Sequence, residues 1–331
     1  MALASKINKI NNIIYVLTGD GEFAEGSNFE ALQLASHYNL NNLILIIDVN
    51  RLAQTGETML GDNVKAYAER LLSFDWNPII INGHKIKQII KAIKKSGSSS
   101  KPTAIIARTI KGKGVSFLEN KNNLHGKTLS PQEMREALKE LPETEFPKVQ
   151  IRSPGKQSNK QKLSINNYTS YSINEEIATR EAYGNALVNL AKSNKNIIAI
   201  DGDVSNSTYS NKLKEHFSHN FIEAYIAEQN MLGMALGLSK KDFNVFASTF
   251  AAFLTRAHDQ LRMTALSTPN LTICGSHAGV SIGEDGASQM GLEDIAMFRS
   301  LPNSIILYPS DAVSTEKLVY LAAKTKGMKY I

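Results

Sequence analysis

Thr18-Gly19-Asp20-Gly21-Glu22, with Asp48-Val49-Asn50-Arg51-Leu52 further along, is the part of this sequence that decides the fold. Ile13 to Leu17 is an apolar, β-rich run, and Leu43 to Val49 is another. Between them, Glu25 to Tyr38 carries apolar residues at helical spacing: Phe29, Leu32, Leu34, Ala35 and Tyr38. The pattern is strand, glycine turn, helix, strand. In a parallel unit of that kind both strands end at one edge, where open α/β folds bind ligands, so Asp20 and Asn50 are expected side by side there. A carboxylate and an amide oxygen suit Mg²⁺ or Ca²⁺, hard cations that share oxygen ligands with a phosphate. Gly19 and Gly21 leave the backbone open to close approach by a diphosphate. A glycine turn that binds nothing is the alternative; the spacing to Asn50 and the strand context favour binding.

A chain of 331 residues with 42% hydrophobic content can bury cores for two domains. The net charge of +6 and pI near 9.1 are mildly basic. Much of the lysine is dispersed on amphipathic stretches such as Lys85 to Lys95, which reads as solvated helix face rather than a nucleic-acid surface. The single cysteine, Cys274, ends an apolar run, so there is no disulfide framework and a reducing, cytoplasmic location is expected. No segment has the length needed to span a membrane, and Met1 to Asn12 lacks the hydrophobic core of a signal peptide.

Strand and helix patterns alternate along both halves, predicting an α/β fold of two doubly wound parallel-sheet domains. The first domain is placed at 1–141 and the second at 176–331. Residues 142–175 turn rich in Lys, Ser, Asn, Gln and Pro and read as a linker. In the second half the apolar spacing predicts continuous helices over Asn206 to Phe217, Thr249 to Thr264 and Gln289 to Arg299.

The chain resembles the transketolases, the animal type in particular. The resemblance rests on Gly19-Asp20-Gly21-Glu22 through Gly26, Asp48 to Leu52, Lys111-Gly112-Lys113-Gly114 and His125-Gly126-Lys127. In the second half it rests on Ala178-Thr179-Arg180, Asp201-Gly202-Asp203, Tyr225-Ile226-Ala227-Glu228-Gln229-Asn230, Ser248 to Phe253, and Gly275-Ser276-His277 through Gln289. It implies the thiamine-diphosphate-binding fold, with one divalent ion (Mg²⁺ or Ca²⁺) per site, held by Asp20, Asn50 and the Leu52 carbonyl. The same comparison assigns cofactor contacts to Gly21, Glu25, Asn50, Lys111, Phe250, Phe253 and Gln289. Glu228 would be the carboxyl that hydrogen-bonds the pyrimidine ring and drives proton transfer there. Phe250 and Phe253, three apart, would show their rings on one helix face.

His125 would face both cofactor and the reacting oxygens of the substrate, where a hydrogen-bond donor stabilises developing charge. The substrate phosphate would fall to Arg180, Ser207 and His277, an arginine fork matching phosphate geometry, and Asp285 would read a sugar hydroxyl. At Gln289, yeast and many bacterial transketolases have histidine; glutamine can hydrogen-bond but transfers no proton.

The implied activity is transfer of a two-carbon ketol unit between ketose and aldose phosphates in the pentose phosphate pathway, by a homodimer with active sites at the subunit interface. Another thiamine-diphosphate enzyme, such as 1-deoxyxylulose-phosphate synthase, is a sibling alternative. A non-catalytic, transketolase-like interaction module is the alternative of another class. The family has a long segment ahead of the Gly-Asp-Gly strand and a third domain after the second. The chain is therefore expected to be shortened at both ends, its first domain incomplete, with little turnover alone.

Overall fold

Short β-branched runs that end in Gly, Asp or Asn become parallel strands, and the lysine-dotted amphipathic stretches between them become helices that cover the sheets. These elements come from a computed structural model that describes residues 1–143, 149–150 and 168–331. Most of the expected linker lies outside the described residues. The chain divides into two units, one running from Lys9 through the first sheet, the other formed by Met1, Leu3–Asn8 and the C-terminal half.

After a short helix α1 (Ala2–Ile7), the first unit contains β1 (Ile14–Gly19), α2 (Gly26–His37), β2 (Leu43–Val49), α3 (Val64–Ser73), β3 (Asn77–Asn82), α4 (Ile86–Ser96), β4 (Thr103–Arg108) and α5 (Pro131–Glu140). The strands are all parallel, in the order β1-β2-β4-β3. Ile89, Ala92 and Ile93 of α4 pack on Ile44, Ile79, Ile81 and Ile105 of the sheet, while Lys87, Lys91 and Lys94 look outward. Each large aliphatic group so buried contributes about 1.5–3 kcal/mol. Asn63 caps α3, and Ser130 with Glu133 closes a capping box on α5. β1 is an edge strand, with Leu17 71% exposed.

The second unit contains α6 (Thr179–Ser193), β5 (Ile197–Asp201), α7 (Ser205–Thr208), α8 (Asn211–His216), β6 (Phe221–Glu223), α9 (Glu228–Ser239), β7 (Asn244–Phe250), α10 (His258–Leu266), β8 (Asn270–Ser276), α11 (Asp294–Arg299), β9 (Ser304–Ile306), α12 (Ala312–Lys324) and β10 (Gly327–Tyr330). Its strands are again parallel, in the order β6-β5-β7-β8-β10-β9. Tyr183, Leu187 and Leu190 of α6 and Val319 and Tyr320 of α12 pack on Ile197, Ala199 and Phe246. The winding reverses between β5 and β7, so the carboxyl ends of these strands flank the crevice where such sheets hold ligands.

Three expected helices are broken. The one over 206–217 stops at Tyr209, whose φ of +59° is left-handed and ends the first turn. The one over 249–264 is strand as far as Phe250, then a 3₁₀ turn, then α10; Thr249 and Phe250 favour the sheet. The one over 289–299 begins only at Asp294, after two 3₁₀ turns around Gly286. β10 escaped the sequence pattern because Lys329 interrupts its apolar run, yet Lys329 is fully buried. Among the described residues no helix is long and apolar enough to cross a membrane.

The Lys329 ammonium donates to Asn270 Oδ1 at 2.9 Å, Thr325 O at 2.8 Å and Gly327 O at 3.0 Å, and none of these three acceptors is a carboxylate. Burial lowers its pKa from 10.5 to about 8. The unfolded chain therefore binds the extra proton between those two values, and folding gains stability as pH rises across that window. The unfolding free energy of the wild type, measured by urea denaturation, should rise relative to Lys329→Met between about pH 8 and 10.5. A constant difference between the two would place the charge elsewhere.

Candidate functional site

Parallel pairing sets Gly19 beside Asp48, and Val49 beside Arg108, so Asp20, Asn50 and the segment after β4 emerge together. Asp20 is only 6% exposed. Its Oδ1 accepts the Gly21 N–H at 3.0 Å; its Oδ2 accepts the Arg51 N–H at 2.6 Å and the Thr58 hydroxyl at 3.3 Å. Arg51 has a φ of +63°, unusual for arginine, and the short bond to Asp20 holds it there. The Asn50 amide donates to Asp48 Oδ2 at 3.3 Å, and its Oδ1 accepts the Leu52 N–H at 3.1 Å. Thr109 donates its hydroxyl to Asp48, so the neighbouring strand steadies the amide as well.

The Lys111 ammonium lies 3.3 Å from the Leu52 carbonyl and 2.9 Å from His125 Nδ1. An ammonium only donates, so Nδ1 is the acceptor and the ring proton sits on Nε2. Asp20, Asn50, Leu52, Lys111 and His125, expected from the sequence to act together, are linked by these contacts. Glu25 is exposed at the start of α2. Gly21 has an ordinary φ of −68°, and a Cβ there would make ordinary contacts with Thr58 at 3.6 Å and Ala53 at 3.8 Å; beside Gly19 there is open space.

Among the described residues no group of three or more His, Cys, Asp or Glu gathers around a point that could hold a metal ion. The oxygens at this edge are instead one buried carboxylate, one amide and one carbonyl. These are the hard donors a Mg²⁺ or Ca²⁺ accepts when a ligand's phosphates complete its shell. A cation, the Lys111 ammonium, already rests on the Leu52 carbonyl. The donor set fits a divalent ion shared with a diphosphate.

In the second unit Glu228 opens α9 with its side chain 5% exposed. Its Oε2 is buried and makes no hydrogen bond; the Arg256 Nε stands 3.8 Å away. Phe250 ends β7 and Phe253 opens the following 3₁₀ turn, so they share no helix face, contrary to expectation. Their rings nevertheless stack, 5.1 Å apart at 18°. His277 follows β8 with a φ of +56°, its ring 4.3 Å from that of Phe250.

Arg180, in the first turn of α6, brings Nη1 to 3.1 Å from His277 Nε2 and 3.2 Å from the Ser207 carbonyl. Guanidinium only donates, so His277 accepts at Nε2, and its Nδ1–H is left for Ser276 Oγ at 2.6 Å. Burial and the Arg180 charge push the His277 pKa below its ordinary value, against a smaller opposing pull from Asp285. Arg180, His277, Ser276, exposed Asp285 and Tyr308 line one cleft of about 560 Å³. Ser207 meets Arg180 through its carbonyl. Gln289, on the second 3₁₀ turn, does not line that cleft.

Sequence reasoning gave Asp48 no role of its own and missed Thr58, Tyr209 and Arg256. Tyr209 lies under Arg180, its ring centroid 5.5 Å from the guanidinium carbon. Only the polar run Ser205 to Ser210 after a strand could have flagged that last contact.

Two parallel α/β sheets, one with hard oxygens at its carboxyl edge and one with a buried carboxyl near stacked aromatics, define a class of diphosphate-cofactor proteins. Residues 4–179 match the family "Transketolase, thiamine diphosphate binding domain", and residues 175–331 match "Transketolase, pyrimidine binding domain". The chain belongs to the transketolase family. It is 47% identical over 340 residues to mouse transketolase-like protein 2 and 46% identical over 338 residues to human transketolase. All of this chain but 54% of each relative is covered, so it spans about half their length. The crystal structure of Campylobacter jejuni transketolase superposes with a TM-score of 0.84 at 25% identity, over 99% of this chain and 58% of that one. A Pichia stipitis transketolase in complex with sedoheptulose 7-phosphate shares the fold, with a TM-score of 0.76 at 20% identity over 100% of this chain and 58% of its own.

Asp20→Ala strands the Arg51 N–H and should destabilise the first unit by about 2 kcal/mol, the cost of an unsatisfied buried donor. Trp76, the sole tryptophan, is 3% exposed and belongs to that unit, so its fluorescence during urea unfolding reports the loss.

Proposed function

We propose that the chain supplies the thiamine-diphosphate-binding and sugar-phosphate-binding parts of a transketolase. This enzyme moves a two-carbon ketol unit from a ketose phosphate to an aldose phosphate in the pentose phosphate pathway. In this reading it is a cytoplasmic homodimer with active sites at the subunit interface. The observation that carries the reading is Glu228: a buried carboxyl whose Oε2 has no hydrogen-bond partner, on a family member.

An orphaned buried carboxyl oxygen costs free energy that a ring nitrogen at that point would recover. When bound, thiamine diphosphate supplies the carbon nucleophile of the reaction. Asp20, Asn50 and the Leu52 carbonyl would hold a divalent ion between the protein and its phosphates. Lys111 would neutralise diphosphate charge, with Gly21 and Glu25 at the same turn. Phe250 and Phe253 would face the pyrimidine, where offset stacking adds about 1 kcal/mol beyond burial. Glu228 would hold a proton at the pyrimidine nitrogen. His125 would donate from Nε2 to a substrate oxygen, a contact that strengthens as charge develops.

Arg180 and His277 would take the sugar phosphate with Ser207, and Asp285 a hydroxyl. Sugar phosphates named with related structures, such as the sedoheptulose 7-phosphate of the Pichia stipitis enzyme, support that choice of substrate class.

Calorimetric titration of thiamine diphosphate with Mg²⁺ into the purified chain should saturate. Asp20→Ala should weaken that binding about tenfold or more, a loss of roughly 1.4 kcal/mol or greater. In a protein that also carries the family's leading segment and third domain, Glu228→Gln should leave cofactor binding within a few-fold while turnover of xylulose 5-phosphate with ribose 5-phosphate falls at least a hundredfold, the scale of lost acid–base catalysis. Normal turnover in Glu228→Gln would remove Glu228 from that role.

A further inference from the structure

Asp201, the last residue of β5, is completely buried. Its Oδ1 accepts the Val204 N–H at 2.8 Å; its Oδ2 accepts the hydroxyls of Thr208 at 2.7 Å and Ser210 at 2.8 Å. One carboxylate thus ties both ends of the 204–210 turn to the sheet. Burial lifts its pKa to about 6, with the three donors opposing that rise, so at neutral pH it is mostly ionised and accepts from all of them.

The turn is pressed against α6, the helix that carries Arg180. A Cβ on Gly184 would sit 2.4 Å from the Tyr209 carbonyl oxygen, so glycine there permits the close approach. Lys212 fastens the far side with bonds to Glu181 at 3.0 Å and Asn185 at 2.8 Å. What the turn offers Arg180 is the Ser207 carbonyl at 3.2 Å and the Tyr209 ring beneath its guanidinium. Those two contacts leave Nη1 pointed at His277.

We propose that Asp201 is a positioning residue for phosphate recognition: by fixing the 204–210 turn it holds the Arg180 guanidinium beside His277, ready for the phosphate of a sugar. This rests on the reading that Arg180 receives that phosphate. An arginine side chain loses much rotamer freedom when it is fixed, and a site that has already ordered it binds more tightly because part of that cost is already met. Asp201 touches neither Arg180 nor the cleft, so its whole effect runs through the turn.

The test is a double-mutant cycle on the 331-residue chain, with D-ribose 5-phosphate and D-ribose as probes in calorimetry. Arg180→Ala should weaken ribose 5-phosphate binding about ten- to a hundredfold, the worth of a charge-assisted contact. Asp201→Asn should weaken it about three- to tenfold and leave ribose binding unchanged, since it acts by freeing part of that side chain. The double variant should match Arg180→Ala alone. Thr208→Val, which removes one Oδ2 donor and leaves Asp201 in place, should reproduce a smaller loss and serves if Asp201→Asn does not fold.

Losses that add in the double variant, or an Asp201→Asn or Thr208→Val chain that binds ribose 5-phosphate normally while Arg180→Ala does not, would overturn the positioning role alone. A wild-type chain with equal affinity for both probes, or an Arg180→Ala chain with unchanged affinity, would overturn the phosphate reading together with it.

Discussion

Parallel pairing is the constraint on which the rest of this protein depends. It sends every strand's carboxyl end to one edge, where backbone N–H groups leave the ladder without partners. Those groups must be satisfied by side chains, and the chain places carboxylates there. Asp20 follows β1 and Asp201 ends β5, each receiving one or two backbone N–H groups and one or two hydroxyls. The polar edge that such a fold needs for its own turns is also the edge where a charged ligand would be met.

The buried carboxylates differ in how completely they are satisfied, and that difference separates structural work from chemistry. Asp201 accepts three donors and is spoken for. Asp20 also accepts three, though at the edge of an open glycine turn. Glu228 is buried as deeply as Asp20 but leaves an oxygen without a hydrogen bond. Folding alone gives no reason to carry that cost, because an apolar side chain such as leucine at the start of α9 would avoid it. A group kept buried and unsatisfied is where a ligand's polar atom is called for.

The first-sheet elements were legible because local pattern and tertiary context agree there: β2 occupies the residues its apolar run marks, and α4 follows its isoleucine–lysine alternation. The second half was harder to read where tertiary contacts overrule periodicity. Tyr209 is left-handed because Asp201 and Gly184 capture the turn around it, and nothing local announces that. Lys329 is buried in β10 because three oxygens neighbouring in space, though not in pattern, receive its ammonium. Phe250 and Phe253 illustrate the reverse: the sequence spacing suggested a shared helix face, a strand end and a 3₁₀ turn took its place, and the rings still met.

The two histidines carry the same lesson into the candidate site. Each stands against a cation that can only donate, Lys111 at His125 and Arg180 at His277, so each is read as an acceptor on one nitrogen with its proton on the other. A sequence shows a histidine and a base somewhere upstream; it does not show that they meet, or which nitrogen is left over. That leftover N–H decides what the ring can do. On His277 it is taken by Ser276, which fixes the orientation of the ring beside Arg180. On His125 the Nε2 makes no hydrogen bond among the described residues, which leaves that N–H as the donor a substrate oxygen would meet.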